Sequence, residues 1–234
     1  MTKRFPIVGL DLLSLVHYPG LLSAVVKVPG CNFRCPFCKK EDLVLHHQEM
    51  DKIPEEDVIE TLYPRIGFLG GVCITGGEPT LHRFLPDFCS QLRTIGAKIK
   101  VETNGSRPRN LKRIIDRRRV DYISLDIKAP LKRYREITRY KIQPSTIEES
   151  IKLIRQSSID HDFHVTVIPG IHDREGLLDI AQTLAGSKRL ILERYEPGKA
   201  FCPPFSEIQP YSEDEMKGFR DLMTPYFGET ILNL

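Results

Sequence analysis

Residues 21–38 read LLSAVVKVPGCNFRCPFC, an apolar and β-branched stretch that runs directly into three closely spaced cysteines. The apolar part predicts a buried β-strand over residues 21–29. In parallel α/β barrels the chemistry collects at the carboxyl ends of the strands. The cysteines follow such an end, so the fold depends on whether further strands of the same kind come after them.

Short apolar strands alternate with single helices along most of the chain. Further strands are predicted over residues 71–75, 98–103, 122–127, 164–168 and 190–194. Helices are predicted over residues 54–63, 85–95, 108–119, 145–156, 174–185 and 212–227. Two of these helices open on a predicted capping box, Ser145 with Glu148 and Ser212 with Glu215. The pattern predicts the α/β class, with a parallel sheet rolled into a partial, TIM-like (β/α)6 barrel and helices outside.

The length of 234 residues and the hydrophobic content of 41% predict one well-packed domain and exclude a disordered chain. Its core is expected over about residues 20–200, after a lead-in at 1–19 and before an irregular segment and helix at 197–234. No apolar run reaches the roughly 18–20 residues of a membrane-spanning helix, and the N-terminus lacks the apolar stretch of a signal peptide. We therefore expect a cytoplasmic protein.

The six cysteines divide into two groups by spacing. Three lie alone, at Cys73, Cys89 and Cys202. Cys73 and Cys89 sit in apolar stretches, where a thiol usually behaves as a small buried hydrophobe. The other three, Cys31, Cys35 and Cys38, form a C-x3-C-x2-C run, and thiols this close converge when they bind a metal centre.

Two metal centres are compatible with this run. A structural zinc site has four protein ligands, and His46 or His47 could supply the ligand that the cysteines lack. A cubane iron–sulfur cluster held by three cysteines would instead leave one iron open to a substrate or cosubstrate. The spacing favours the cluster and leaves zinc as the alternative.

Polar residues follow other predicted strands. Gly76 and Gly77 allow backbone groups to approach a ligand closely, and the Glu78 carboxylate suits an ammonium group. Asp126 and Lys128 are two residues apart on a strand and share one face. They form either a structural ion pair or a binding site, in which Lys128 takes an anion.

Glu102 ends the strand before that pair, and together with Asp126 it could bind a cation or a ribose. His161, His164 and His172 surround one later strand and are expected to be structural or exposed.

Residues 98–141 are strongly basic. They contain 15 lysines and arginines against five acidic residues, a net charge of +10, so the rest of the chain is net −7 within an overall charge of +3. Such a segment binds phosphate or an acidic protein surface, or it is the solvated exterior of helices.

These motifs together resemble the radical S-adenosylmethionine (SAM) superfamily over roughly residues 20–200. In that family three cysteines hold a [4Fe-4S] cluster, and SAM chelates the open iron through its amino and carboxylate groups. The resemblance implies that Cys31, Cys35 and Cys38 are the catalytic cluster ligands. It also implies an oxidoreductase that reductively cleaves SAM to a 5′-deoxyadenosyl radical, which abstracts hydrogen from a substrate.

More specifically, the chain resembles the activating proteins of glycyl-radical enzymes, above all those of anaerobic ribonucleotide reductase. The likeness lies in His17-Tyr18-Pro19-Gly20, the cysteine run, Thr75-Gly76-Gly77-Glu78-Pro79-Thr80, Thr103-Asn104-Gly105 and residues 121–130. It implies that the hydrogen comes from a glycine of a partner reductase under anaerobic conditions, with a flavodoxin- or ferredoxin-type electron donor.

The same resemblance implies SAM contacts and a possible site for a monovalent cation. Gly76, Gly77 and Glu78 would hold the methionine amino group, and Lys128 its carboxylate. Phe37 and the stretch 167–171, including Ile168, would hold the adenine. The implied cation site consists of Glu102, Thr103, Ser124 and Asp126.

The chain departs from these activating proteins at three places. Lys39-Lys40 replaces His-Asn, His17 replaces an Asp, and His164 replaces an Arg. The departures leave the cluster ligands intact and bear on the hydrogen donor. Another protein substrate, or a small molecule as in 7-carboxy-7-deazaguanine synthase, is the alternative. A non-catalytic zinc or iron–sulfur module that binds nucleic acid is the more remote one.

Overall fold

The computed structural model describes residues 4–198 and 200–234. Eight strands form one sheet, in the order in which they occur along the chain. They are β1 (Gly9–Ser14), β2 (Ser23–Val28), β3 (Gly71–Gly76), β4 (Lys98–Thr103), β5 (Tyr122–Asp126), β6 (Asp160–Val167), β7 (Ser187–Arg194) and β8 (Phe227–Asn233). β1 runs antiparallel to β2, and all later neighbours are parallel. Because β1 and β8 are the edges, the sheet is an open, partial barrel.

Ten α-helices connect or follow the strands. They are α1 (Glu41–Leu45), α2 (Glu55–Leu62), α3 (Ile66–Leu69), α4 (Leu85–Thr94), α5 (Pro108–Asp116), α6 (Tyr134–Thr138), α7 (Pro144–Gln156), α8 (Arg174–Leu184), α9 (Pro203–Ser206) and α10 (Glu213–Met223). Within the described ranges, none of them is long and apolar enough to cross a membrane.

The predicted fold class is confirmed, since β2 to β7 are the six predicted strands. β3 shows why they were recognisable: all six of its residues are buried, as expected of a parallel strand covered on both faces. The flanking helices bury one face each. In α7, for example, the buried residues Ile147, Ile151 and Ile154 recur at helical spacing.

The edge strands β1 and β8 were not predicted. Neither contains a fully buried residue, so neither has the continuous apolar run that marks the central strands in the sequence. The last helix, predicted over residues 212–227, was also too long. α10 ends at Met223, and a single 3₁₀ turn leads into β8.

The two predicted capping boxes have opposite outcomes. Ser212 and Glu215 form one at the start of α10, with both reciprocal hydrogen bonds present. The prediction for Ser145 with Glu148 is wrong. Pro144 occupies the first turn of α7 and Gln143 precedes it without a side-chain cap, because proline suits the first helical position and moves Ser145 inside the helix.

Candidate active site

A cavity of about 460 Å³ lies at the carboxyl ends of the parallel strands. It brings together twelve of the residues singled out from the sequence: Cys31, Cys35, Phe37, Cys38, Gly76, Gly77, Glu78, Glu102, Thr103, Ser124, Asp126 and Lys128. Ile168 does not line this cavity and is fully buried just after β6. The other residues converge because the carboxyl ends of parallel strands meet at one end of a barrel.

The cysteine run forms the loop between β2 and α1. All of its thiols are free, as are those of the other cysteines. The Cys31 sulfur accepts hydrogen bonds from the Phe33 backbone N–H at 3.4 Å and from the Asn104 side chain at 3.6 Å. Donors of this kind tune thiolates that bind metal.

Burial keeps the Cys31 and Cys35 thiols neutral in the absence of a metal. It raises the pKa of Cys31 to about 11 and the pKa of Cys35 to about 12. Metal binding would have to displace these protons. Cys73 and Cys89 are fully buried, as predicted for two structural cysteines.

The glycine turn after β3 packs against the start of the cysteine loop. The Gly77 N–H donates to the Val28 carbonyl and the Glu78 N–H to the Gly30 carbonyl, both at 2.8 Å. A Cβ atom on Gly77 would lie 1.9 Å from the Gly30 oxygen, and Gly76 has a φ of 113°. These positions therefore require glycine for the approach of two backbone segments.

The Glu78 carboxylate is only 1% exposed. It accepts hydrogen bonds from the Thr80 backbone and hydroxyl, from the Thr103 hydroxyl at 2.7 Å and from the Asn104 N–H at 2.6 Å. Because Asn104 also donates to the Cys31 sulfur, Glu78 connects the ends of β3 and β4 to the cysteine loop.

Two lysine–carboxylate pairs line the cavity. Lys128 contacts Asp126, and its Nζ lies 5.9 Å from the centre of the Phe37 ring. Burial alone would lower the pKa of Lys128, but the Asp126 carboxylate raises it, so the side chain stays cationic. The Lys100 Nζ lies 3.2 Å from Glu102.

Glu102 stays anionic. Burial alone would raise the pKa of Glu102, but the Lys100 and Lys40 ammonium groups lower it to about 2.

His164 belongs to the same charged network, contrary to its expected structural or exposed role. Its Nε2 lies 3.1 Å from Glu193 and its Nδ1 lies 4.0 Å from Asp126. Burial alone would lower the pKa of His164, but the two carboxylates raise it to about 10. His161 and His172 are buried and bond to backbone groups, as expected of structural histidines.

Sequence reasoning missed Lys100 and Glu193, and it gave no individual role in the site to Asn104 or His164. A signal existed for His164, because it pairs in register with Asp126 once β5 and β6 are neighbours. Lys39, Lys40 and His17, at which the chain differs from the activating proteins that it resembles, also line the cavity. The Lys39 Nζ donates to the Glu196 carbonyl at 3.3 Å, and His17 Nδ1 lies 2.7 Å from the Ser14 hydroxyl.

The implied cation site stays a prediction. In the structure the Thr103 hydroxyl donates to Glu78, and the Ser124 hydroxyl donates to the buried Asp162. The two carboxylates of the set, Glu102 and Asp126, each have a lysine partner. Across residues 4–198 and 200–234, no three His, Cys, Asp or Glu side chains converge on a single ion position.

Residues 25–184 match the family model of the Radical SAM superfamily. The chain belongs to the radical SAM superfamily. It is 25% identical, over 96% of its length, to a Methanocaldococcus jannaschii protein proposed to be a glycyl-radical enzyme activating enzyme, of which it covers 94%. It is 33% identical over 37% of its length to 7-carboxy-7-deazaguanine synthase of Aquifex aeolicus, of which it covers 38%.

Solved radical SAM structures share the fold. Streptococcus suis SuiB bound to S-adenosylmethionine matches 90% of this chain with a TM-score of 0.68 at 14% identity. The chain spans about half of the SuiB chain, at 52%. At this identity, the likeness concerns the fold alone.

The residues present in this radical SAM enzyme fit the cluster and the SAM that the family implies. Three free thiols, the soft ligands that iron–sulfur clusters use, lie in one cavity beside the half-buried Lys128. Two polar atoms near them, Asn32 Nδ2 and Asp126 Oδ1, are buried without a hydrogen-bond partner in the described structure. The site therefore has both metal-binding thiols and polar groups for a ligand.

Proposed function

We propose that Cys31, Cys35 and Cys38 hold a [4Fe-4S] cluster with one open iron, at which the protein cleaves SAM to activate a glycyl-radical enzyme. The observation that carries the proposal is that three free thiols, a glycine turn and a half-buried lysine line one cavity. When bound, the cluster and SAM would supply the electron and the carbon radical that removes hydrogen from the substrate.

Lys128 would hold the carboxylate of the SAM methionine. It is cationic and currently pairs with Asp126. When Lys128 turns to a ligand, Asp126 keeps a second positive neighbour in His164. The charge of Asp126 therefore stays compensated, which lowers the cost of exchanging its lysine partner.

The glycine turn and the aromatic residue would complete SAM binding. Gly76 and Gly77 hold the turn against the cysteine loop, so SAM and the cluster would share one rigid wall, with Glu78 as its internal support. Phe37, which contacts the Lys128 ammonium, would border the adenine together with residues 167–171. A monovalent cation at Glu102, Thr103, Ser124 and Asp126 remains part of this proposal.

A glycine of an anaerobic ribonucleotide reductase is the hydrogen donor that we propose. Support comes from similarity to the activating-enzyme relative along nearly the whole chain. A cytoplasmic, anaerobic setting and a flavodoxin- or ferredoxin-type donor belong to the same proposal. A small-molecule reaction of the 7-carboxy-7-deazaguanine synthase type is the second candidate, favoured by the higher identity over a shorter stretch.

Anaerobic reconstitution with iron and sulfide tests the radical assignment. With dithionite and SAM, the loaded protein should release 5′-deoxyadenosine. Full iron loading without that product would contradict the proposal.

The partner is tested separately. A glycyl-radical signal in the electron paramagnetic resonance spectrum of anaerobic ribonucleotide reductase, formed only with this protein and SAM, supports the activase. Formation of 7-carboxy-7-deazaguanine without such a signal would support the small-molecule candidate instead.

A further inference from the structure

Five exposed cations lie in two neighbouring segments of the chain, one at the start of α5 and one in and just after α6. We name Arg107, Arg109, Arg135, Arg139 and Lys141 the basic collar. They belong to the basic segment 98–141, for which the proposed chemistry provides no use. None of the five has a carboxylate partner within residues 4–198 and 200–234.

Direct contacts connect the collar to the cluster-binding loop. The Arg34 N–H, directly before Cys35, donates to the Thr138 carbonyl at 2.8 Å, and Arg139 is the next residue. The Phe33 ring packs against Tyr140, with centroids 5.7 Å apart. Arg107 in turn donates to the Tyr140 hydroxyl at 3.4 Å.

The loop residues that make these contacts lie next to Cys31, one of the proposed cluster ligands. The Phe33 N–H donates to the Cys31 sulfur at 3.4 Å. The Arg34 guanidinium donates to the Cys31 and Phe33 carbonyls at 2.6 and 2.8 Å, which adds a further positive charge over the loop. A protein docked on the collar would therefore lie against the backbone that carries the cysteines.

We infer that the basic collar is the docking surface for an acidic one-electron carrier protein of the flavodoxin type. The inference rests on the proposed function, in which each cleavage of SAM consumes an electron. One electron would pass from the reduced flavin to the cluster, so that a flavin hydroquinone becomes a semiquinone and the cluster is reduced by one electron. The anionic hydroquinone becomes the neutral semiquinone, so that only an electron passes and no atom or proton is transferred.

Position favours this partner over nucleic acid. Electron transfer slows steeply with distance, so a donor must dock close to the cluster, and Thr138 and Tyr140, the neighbours of Arg139, contact the cysteine loop directly. A positive surface also attracts an acidic protein and speeds its association in a salt-dependent way. Nucleic acid would require no such proximity to the cysteines.

A pair of residues at the other end of the barrel provides a matched control. Lys98 begins β4 and Arg117 follows the end of α5, so both lie at the amino ends of the strands. Both are exposed, and like the collar they have no carboxylate partner in the described parts of the chain. The double variant Arg139→Glu/Lys141→Glu is named the collar double, and Lys98→Glu/Arg117→Glu is named the control double. Both variants change the net charge by the same amount.

Binding is measured on the anaerobically reconstituted protein by calorimetric titration with oxidised flavodoxin at low salt. We expect the collar double to bind about tenfold more weakly or worse, and the control double to stay within about twofold of the parent protein. High salt should weaken binding to the parent protein in the same direction.

Activity provides the second measurement. The collar double should lose flavodoxin-driven release of 5′-deoxyadenosine and retain dithionite-driven release. Equal losses in both doubles, or no loss in the collar double, would overturn the inference. So would a collar double that binds flavodoxin normally but has lost binding to a DNA or RNA oligonucleotide.

These outcomes are separate from failure of the proposed function. If dithionite and SAM produce no 5′-deoxyadenosine in the parent protein, the radical assignment fails. The calorimetric comparison still decides whether the collar binds flavodoxin.

Discussion

The barrel has a cavity at each end, and the larger one is not the proposed site. The cavity at the amino ends of β6 and β7 measures about 680 Å³, against about 460 Å³ at the carboxyl ends. It is lined by residues of α7 and α8 and by side chains such as Lys152, Arg155 and His161, with no cysteine among them. Volume alone therefore does not identify a site.

The cavities differ in how their polar groups are held. At the carboxyl ends, ion pairs such as Lys100 with Glu102 are buried within the barrel, and thiols lie beside them. At the amino ends, Lys188 pairs with Asp160 at the exposed surface. Exposed pairs contribute little, whereas buried pairs persist where the surrounding structure supports them.

The largest expected effect is loss of the cluster on removing a carboxyl-end thiol. Cys35→Ala should leave two cysteines and abolish iron binding. Iron and sulfide analysis with the visible absorption spectrum measures this. The matched control Cys89→Ala removes an equally buried thiol from α4 and should retain the cluster at a cost of about 1–2 kcal/mol in unfolding free energy. Iron loss in both variants would mean that the cysteines are divided wrongly.

Gly77→Ala should be the next most damaging change. Its Cβ would meet the Gly30 oxygen at 1.9 Å, so the turn and the cysteine loop must separate. We expect a loss of about 3 kcal/mol or more in stability, with reduced iron loading. Gly218→Ala in α10 meets nothing within 4 Å and should be neutral or stabilising by up to about 1 kcal/mol. Equal unfolding midpoints in denaturant for the two variants would contradict this account.

A smaller effect concerns alkaline pH. His164 has a pKa of about 10 in the folded protein, against an ordinary value of 6.5. The contribution of His164 to the free energy of unfolding is fully present below pH 6.5 and is lost as pH rises towards 10. The reason is that the folded state keeps the His164 proton to higher pH than the unfolded state. His164→Gln should remove about 2 kcal/mol at neutral pH and flatten this decline.

Denaturant melts from pH 6 to 10 measure this change. Glu193→Gln, which removes one of the two carboxylate partners, should reduce the slope partially. If the free energy of unfolding of the His164 variant fell with pH as steeply as that of the parent protein, the Asp126–His164–Glu193 contacts would not be the source of this stability.

The smallest effect is expected at the amino-end cavity. Lys152 is an exposed residue of α7, and Lys152→Gln should change stability by no more than about 0.5 kcal/mol. SAM affinity and release of 5′-deoxyadenosine should stay within about twofold of the parent protein. A larger loss of activity would assign this cavity a role and remove the contrast between the two ends.

Much of the site was predictable because its residues follow strands directly. β4 was predicted with its observed bounds, and Glu102, Thr103 and Asp126 lie at strand ends as expected. Lys100 was missed although it is two residues before Glu102 and therefore shares its face of β4, and it is only 4% exposed. Its ion pair with Glu102 makes that burial tolerable.

The sequence by itself determined the class of fold and the superfamily, because strand periodicity and the spacing of the cysteines are local properties of the chain. Only the tertiary structure decided that β1 and β8 extend the sheet, that Glu78 supports Asn104 and that His164 joins two carboxylates. These contacts join residues far apart in sequence. Which of them form depends on strand order and register, and a local pattern contains neither.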